Sequence, residues 1–186
     1  MSVDETLMDA EERMDKALAH LKQNLAGIRT GRAAPGLLDS VKVNAYGSLT
    51  PLKQLASVAA PEPQQLVIKP FDTSLIKDIE KGIVASELGL NPQSDGRIIR
   101  INIPPLSTDT RKKLVARIKE LAEEAKVSIR NVRRDANKAI ETAEKDKTIS
   151  EDDRDSAKED VQEMTKKYED EVSELAKARE SDVLEQ

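Results

Sequence analysis

The stretch RTGRAAPG (29–36) interrupts a long helical pattern, and the stretch NIPPLST (102–108) precedes the point at which that pattern resumes. All eight prolines and six of the seven glycines lie between positions 31 and 105. Proline and glycine are unfavourable inside helices, so we expect long helices on both sides of this interval. Within the interval we expect a different fold.

Both flanks show the apolar periodicity of long helices, over residues 2–29 and 107–145, and a third helix is predicted to begin near Ser150. The predicted seam residues are Leu7, Met14, Leu21 and Ile28 in the first helix, Leu114, Ile118, Leu121, Ala125, Val132 and Ala139 in the second, and Ala157, Val161, Met164, Tyr168, Val172 and Leu175 in the third. Only DKTI (146–149) separates the last two helices, which predicts that they pack as antiparallel neighbours. Since no single helix can bury its seam alone, the pattern predicts an elongated antiparallel three-helix bundle.

Two of the helix starts carry capping signals. Ser2 is followed three residues later by Glu5, and Ser150 by Asp153. This spacing is typical of a capping box, in which each residue of the pair bonds the backbone of the other.

The interval between the helices contains short β-branched runs bounded by turn residues. VKVNAY (41–46), LVIK (66–69) and RIIRINI (97–103) are predicted strands, and residues 74–88 are a predicted amphipathic helix. We therefore predict a small α/β domain inserted into the bundle.

The complete prediction is an α+β protein of two domains. Residues 1–30 and 106–186 form the three-helix bundle, and residues 31–105 form the inserted domain. The chain crosses between them twice, and a linker of two strands allows bending but restricts free rotation. The predicted hinge residues are Thr30, Gly31, Ala33, Ala34, Pro35, Pro104 and Pro105.

Composition supports long, thin helices. The chain of 186 residues is 38% hydrophobic and 35% charged, with one Phe, two Tyr and no Trp. It has no cysteine, no apolar leader and no run of about 18 apolar residues that could span a membrane. These features predict a soluble cytoplasmic protein without a membrane partner.

The net charge of −5 is distributed unevenly. The segments 1–29 and 148–186 carry net charges of −2 and −8, whereas the segment 107–147 carries +4. RNVRRDANK (130–138) is the centre of this single basic helix. Within these nine residues, Asp135 is the only acidic residue.

The basic residues of this helix are ordered, because Lys112, Lys119, Lys126 and Arg133 fall seven residues apart. We expect this row to turn away from the bundle seam. The candidate anion-binding residues are Lys119, Lys126, Arg130, Arg133 and Arg134, with Arg29 and Arg32 of the linker as additions.

Two interpretations of this row are open. The acidic third helix could neutralise it through surface ion pairs, although each such pair contributes only about 0–1 kcal/mol. Alternatively it contacts phosphates, for which the planar fork of arginine is well suited. The absence of interleaved aromatic residues argues against stacking on single strands, so structured RNA is the expected ligand.

Catalysis is not expected. His20 is the only histidine and has no cysteine or second histidine as a partner. No phosphate-binding glycine motif occurs, and the carboxylates are spread along helix faces. We predict no enzyme activity, no cofactor and no metal.

Several longer stretches resemble the bacterial ribosome recycling factor family over nearly the whole chain. They are IRTGRAAPGLLD (28–39), PLKQLASV (51–58), ASELGLNPQSDGRIIRINIPPLSTDTRKKL (85–114), RNVRRDANK (130–138) and KTISEDDRDSAKEDVQEMT (147–165). The resemblance implies an L-shaped protein of a three-helix bundle and a small inserted domain. It also implies that Arg130, Arg133, Arg29 and Arg32 contact ribosomal RNA of the large subunit.

The resemblance further implies a function. Such factors bind the post-termination ribosome in the intersubunit region. With elongation factor G and the GTP hydrolysed by that partner, they separate the subunits and release messenger and transfer RNA. We expect a monomer, and the rival hypothesis from another class is a helical adaptor that recruits partner helices without contacting RNA.

Overall fold

The structure is a computed structural model that describes residues 2–185. These residues form two compact units. The helical unit comprises residues 2–28 and 108–185, and the small unit comprises Arg29–Ser107. The divisions thus fall at 28/29 and 107/108, where the sequence suggested 30/31 and 105/106.

Three long helices make up the helical unit: α1 (Val3–Ala26), α4 (Thr108–Lys145) and α5 (Glu151–Leu184). Each of them contacts the other two. Along α4 and α5, residues pair in opposite order, so that Glu141 bonds Lys158 while Arg130 bonds Glu169. The predicted antiparallel packing of these two helices is confirmed.

Both predicted capping boxes are present. The Ser2 hydroxyl accepts from the Glu5 amide at 3.1 Å, and the Glu5 carboxylate accepts from the Ser2 amide at 2.8 Å. Ser150 and Asp153 make the same reciprocal pair at the start of α5. These bonds satisfy amides that the first turn of a helix leaves unpaired.

The seam of the helical unit departs from a strict heptad. Ile118, Ala125 and Val132 are buried as predicted, but Ala139 is only half-buried. Ala136 and Ile140 occupy the buried face of α4 at that point. A row spaced seven residues apart drifts by about 20° per heptad around a straight helix, and its later members therefore rotate to the edge of the seam. Leu7, Leu114, Met164 and Leu175 are half-buried as well.

Tyr168 is the only aromatic residue in the helical unit and is buried. Its hydroxyl donates a hydrogen bond from α5 to the Asp15 carboxylate of α1. Burial, followed by this bond to Asp15, raises the pKa of Tyr168.

The small unit combines strands with one amphipathic helix. In chain order the strands β1 to β6 are Lys42–Ala45, Ser48–Pro51, Ala56–Glu62, Gln65–Pro70, Pro92–Ser94 and Ile99–Asn102. β1 and β2 form an antiparallel pair, and the other four form an antiparallel sheet in the order β3-β4-β6-β5. A short helical segment α2 (Leu52–Leu55) precedes β3, and α3 (Ile76–Ala85) follows β4.

The predicted strands at 66–69 and 97–103 form the centre of the sheet, where Leu66 pairs with Ile101 and Ile68 with Ile99. These four side chains are fully buried and belong to the same core cluster as Ile79 and Ile83 of α3. The predicted helix over 74–88 is shorter, because Thr73–Leu75 is a 3-10 turn and the helix ends at Ala85. The remaining strands, β2, β3 and β5, were not predicted.

Gly82 allows α3 to approach β1 closely. A Cβ atom at this position would lie 2.9 Å from the Lys42 carbonyl oxygen and 3.1 Å from Cγ2 of Val43. The nearer of these atoms belongs to the backbone of a strand, which cannot turn aside as a side chain could.

We expect Gly82→Ala to destabilise the small unit by about 1–3 kcal/mol, because the overlap outweighs the gain of about 1 kcal/mol in helix propensity. Chemical denaturation of the whole chain measures this change. Gly27→Ala is the matched control, since its Cβ would have no neighbour closer than 3.5 Å. Equal stability of the Gly82→Ala variant and the wild type would contradict the packing argument.

A second prediction concerns Tyr168→Phe, which should lower the free energy of unfolding near pH 7 by about 1 kcal/mol. Because the pKa of Tyr168 is raised on folding, its contribution is complete below pH 10 and falls as pH rises towards the folded pKa. The difference in stability between wild type and Tyr168→Phe should therefore shrink above pH 10. A difference that stays constant with pH would contradict this linkage.

Candidate nucleic-acid interface

The predicted basic row lies along one flank of α4. Successive residues of an α-helix turn by about 100°, so Lys119, Lys126 and Arg133 share a flank that borders the buried face. Lys119 is exposed, whereas Lys126 and Arg133 are half-buried. The row is thus at the edge of the contact with α5, closer to that helix than the sequence suggested.

The one acidic residue of the basic segment is neutralised from another helix. The Asp135 carboxylate accepts a hydrogen bond from Nη2 of Arg13 in α1 at 2.6 Å. Arg13 also lies 3.7 Å from Asp9, one turn earlier in α1. Because Asp135 is paired in this way, it does not oppose the positive charges that flank it on α4.

Arg130 lies on the same flank as the row and forms two ion pairs. Its Nε lies 3.0 Å from Oε1 of Glu169 in α5, and its Nη2 lies 3.1 Å from Oε1 of Glu123 on α4. These two carboxylates, Glu169 first, raise the pKa of Arg130. The guanidinium therefore remains charged but is oriented along the flank by two carboxylates.

Arg133 has a neutral partner instead. Its Nη1 lies 3.4 Å from Oε1 of Gln162 in α5, a weak contact that leaves its charge unopposed. Within residues 2–185, Lys119, Lys126, Arg133 and Arg134 take part in no ion pair. The centre of the flank thus presents positive charge that no carboxylate balances.

The ion-pair interpretation accounts for little of this charge. Of the three ion pairs between α4 and α5 in the described residues, only Arg130–Glu169 has its cation on α4. In the other two the cation belongs to α5, where Lys158 bonds Glu141 at 2.6 Å and Arg154 lies 3.8 Å from Glu144. Ion pairing with the acidic helix α5 therefore accounts for Arg130. It does not account for Lys119, Lys126 or Arg133.

Arg29 and Arg32, the two predicted additions, belong to the small unit and are exposed. The Arg29 guanidinium donates to the Leu88 carbonyl oxygen within that unit. Their grouping with the basic flank of α4 stays a prediction.

The predicted hinge residues include several that the small unit holds in place. The Ala33 amide donates to the Pro63 carbonyl at 2.6 Å, and on the return path the Ile103 amide donates to the Gln64 carbonyl at 2.8 Å. Gly31 has φ +73°, a conformation that favours glycine. The hinge residues stay a prediction, and these bonds show only that the small unit holds the chain at Ala33 and Ile103.

Other candidate sites offer less. His20 is exposed, and its Nδ1 lies 3.3 Å from Nδ2 of Asn24. No group of three or more histidine, cysteine, aspartate or glutamate side chains in residues 2–185 is placed to hold a metal ion. No helix in the same range is long and apolar enough to cross a membrane.

Sequence reasoning missed the partners that orient the basic flank. Arg13 and Asp135 are 122 residues apart, and Arg130 and Glu169 are 39 apart. The only available signal was the shared seam register, which brings these positions to neighbouring helix faces but does not specify the pairs.

Comparison with known proteins decides the family. A family model described as ribosome recycling factor matches residues 21–184. A ribosome-recycling factor of Rhodopirellula baltica is 73% identical over 139 residues, 75% of each chain. Another, of Symbiobacterium thermophilum, is 50% identical over 181 residues, 97% of this chain and 98% of the relative. The chain belongs to the ribosome recycling factor family.

Solved structures of ribosome recycling factors share the fold. A solution structure of the factor is 40% identical, covers 100% of this chain and 99% of its own, and has a TM-score of 0.83. A second structure is described as models for the T. thermophilus ribosome recycling factor and the E. coli elongation factor G bound to the E. coli post-termination complex; the matching chain is 41% identical, with a TM-score of 0.68 and coverage of 99% and 100%. The predicted α+β fold, a helical bundle with a small inserted domain, is confirmed. Membership of the ribosome recycling factor family connects the protein with ribosome recycling after translation termination.

The contacts of Arg130 generate a prediction about affinity. Replacing Glu169 by Gln removes the nearer carboxylate; if the basic flank contacts ribosomal RNA as predicted, this variant should bind it about two- to fivefold more tightly at low salt. Binding of a labelled rRNA fragment measures the change. Glu163→Gln removes the same charge from an exposed position of α5 that pairs with no cation in residues 2–185. An equal gain in both variants would show a general charge effect and contradict the specific role of Glu169.

Proposed function

We propose that the protein is a ribosome recycling factor that acts on the post-termination ribosome together with elongation factor G. In this proposal, GTP hydrolysed by the elongation factor drives separation of the subunits and release of messenger and transfer RNA. The factor itself is not an enzyme, binds no cofactor or metal, and works as a monomer in the cytoplasm.

The observation that carries this proposal is the unbalanced positive flank of α4 in a protein of this family. The chain is acidic overall, yet Arg133, Arg134 and Lys119 have no carboxylate partner in residues 2–185, and Asp135 is paired with Arg13. Acidic surfaces elsewhere repel a polyanion, so the basic flank determines which face docks. Ribosomal RNA of the large subunit is the polyanion that the family implies.

Arg133 is the first candidate for a phosphate contact, because its neutral partner Gln162 is easily displaced. Arg130 would exchange one or both of its carboxylates for phosphate oxygens, and its guanidinium can form two parallel bonds with such a group. Lys119 and Lys126 would then contact neighbouring phosphates through their ammonium groups, and Arg134 through its planar guanidinium. Arg29 and Arg32 are proposed as additional contacts from the linker.

The small unit provides the moving part in this mechanism. Its two connections are short, because the small unit holds the chain at Ala33 and Ile103 while α1 ends at Ala26 and α4 begins at Thr108. Two short connections allow bending and oppose twisting. A push by the elongation factor on the small unit would therefore be delivered to a helical unit anchored on RNA, and the bridges between the subunits would break.

Subunit separation tests the function directly. Terminated ribosomes are mixed with the protein, elongation factor G and GTP, and separation is followed by light scattering and by sedimentation. We expect separation to exceed that with the elongation factor alone. Separation equal to that control would refute the proposed function, and RNA-independent self-association of the protein would favour the adaptor hypothesis.

Arg133→Ala should weaken binding to the large subunit about tenfold or more, because a charge-assisted bond to phosphate is lost. The stability of this variant should change by no more than about 1 kcal/mol, since half-buried Arg133 makes only a weak contact with Gln162. Arg117→Ala is the matched control; Arg117 lies on the same helix and pairs with Glu120 at 2.6 Å. Equal affinities of the two variants would contradict anchoring by Arg133.

Affinity for the large subunit should also fall steeply with salt. If about four phosphates are contacted, log K should decrease with log salt concentration with a slope of about −3 to −4. The Arg133→Ala variant should lower the magnitude of this slope by about 1, as expected for one lost phosphate contact. A slope near zero would contradict an interface made of phosphate contacts.

A further inference from the structure

The C-terminal ends of α1 and α4 close in different ways. At the end of α4, Lys147 has φ +56°, and the amides of Lys147 and Thr148 return to the carbonyls of Glu144 and Ala143. This Schellman arrangement satisfies the last carbonyls of that helix. At the end of α1, Gly27 keeps a right-handed φ of −74°, and no basic residue lies in the last turn.

Arg179 of α5 adds side-chain hydrogen bonds to carbonyls at this helix end. Its Nε donates to the Leu25 carbonyl at 2.9 Å and its Nη2 to the Ile28 carbonyl at 2.8 Å. The same Nη2 lies 3.5 Å from the Ala26 carbonyl oxygen. One guanidinium from the far end of the sequence thus holds the last turn of α1 and Ile28, two residues beyond the end of the helix.

The position of this contact matters because the chain leaves the helical unit here for the small unit. Ile28 is the last residue of the helical unit on this path, and its side chain is buried while its carbonyl is held by Arg179. The small unit takes hold of the chain at Ala33. Without Arg179 the Leu25 carbonyl would keep its bond from the Ile28 amide but lose the bond from the guanidinium, and the end of α1 would open more easily.

We propose that Arg179 is a positioning residue that fixes the outgoing connection to the helical unit at Ile28, so that movement of the small unit is transmitted to the bundle. This inference rests on the proposed function for the transmission of movement, but the anchoring itself does not. It gives the C-terminal part of α5 a role distinct from binding RNA.

Only arginine has the geometry that this position requires. The planar fork reaches the Leu25 and Ile28 carbonyls with two different nitrogens at once, whereas the single ammonium group of lysine cannot span both in the same way. Asp182, 3.5 Å from Nη1, adds a partner on the third nitrogen. Arg179→Lys should therefore retain the charge and lose most of the anchoring.

Amide hydrogen exchange of the full-length protein measures the anchoring. In Arg179→Gln, we expect the Ile28 amide, which donates to Leu25 at 3.1 Å, to exchange about tenfold faster, while exchange in the middle of α1 is unchanged. Arg154→Gln is the matched control, because Arg154 is another α5 arginine of similar exposure, 27% against 25%, and pairs with Glu144 and Asp155. It should leave exchange at Ile28 unchanged.

Subunit separation measures the transmission. At saturating factor, we expect Arg179→Gln to lower the maximum rate of separation about fivefold or more, with Arg179→Lys intermediate. The factor concentration that gives half the maximum rate should stay within about twofold of the wild type, because the basic flank is intact. An Arg133→Ala variant should show the opposite pattern. Its half-saturating concentration should rise, while its maximum rate of separation should change little.

The outcomes separate the claims. Unchanged exchange at Ile28, or faster exchange with an unchanged maximum rate, would overturn the proposal. Should Arg179→Gln unfold the whole helical unit, seen as faster exchange throughout α1, the Arg179→Lys variant at the same two measurements decides the matter by the same criteria. If the wild type itself separates no subunits, the proposed function fails, and the exchange comparison alone then supports or overturns anchoring at Ile28.

Discussion

The structure depends on one constraint, which is that three slender helices must together bury a narrow apolar seam. The buried side chains of the helical unit are mostly Ala, Val, Ile and Leu, with Tyr168 as the only aromatic residue. A seam of this width occupies part of each helix surface and leaves the rest to solvent. The direction of every charged flank follows from it. The basic side chains of α4 lie beside α5 because Ile118, Ile129 and Val132 turn the helix that way.

The sequence of α4 already carries an excess of positive charge, and packing of the helices increases this excess by pairing its acidic residues with cations of other helices. The segment 130–138 contains one acid, Asp135, and the bundle places Arg13 against it. The third helix is the most acidic segment of the chain, yet within residues 2–185 Glu169 is its only carboxylate that pairs with a cation of α4. Two other contacts between these helices pair an α5 cation with an α4 carboxylate, at Glu141 and Glu144. These contacts remove negative charge from α4 and leave its basic centre unbalanced.

The parts of the fold that the sequence predicts are those governed by residues close together in the chain. The boxes at Ser2 and Ser150 are complete within four residues, and the β-branched runs of β4 and β6 are long enough to be recognised. The strand β3 (Ala56–Glu62) was not predicted because it is rich in alanine and includes Pro61, and proline is rare inside strands. The candidate interface follows the same division. Its row of cations was visible from their spacing, whereas their partners depend on packing between helices.

Three arginines illustrate why residue type alone does not assign a role. Arg133 contacts a neutral amide, Arg130 contacts two carboxylates, and Arg179 contacts backbone carbonyls. Carboxylate and amide side chains can turn aside, so a phosphate can take their place with little change elsewhere. The carbonyls of Leu25 and Ile28 belong to the chain itself and can be released only if α1 frays. Arg133 and Arg130, whose acceptors are mobile side chains, are therefore suited to bind a ligand, whereas Arg179, bonded to carbonyls at the end of one helix, is suited to hold the fold.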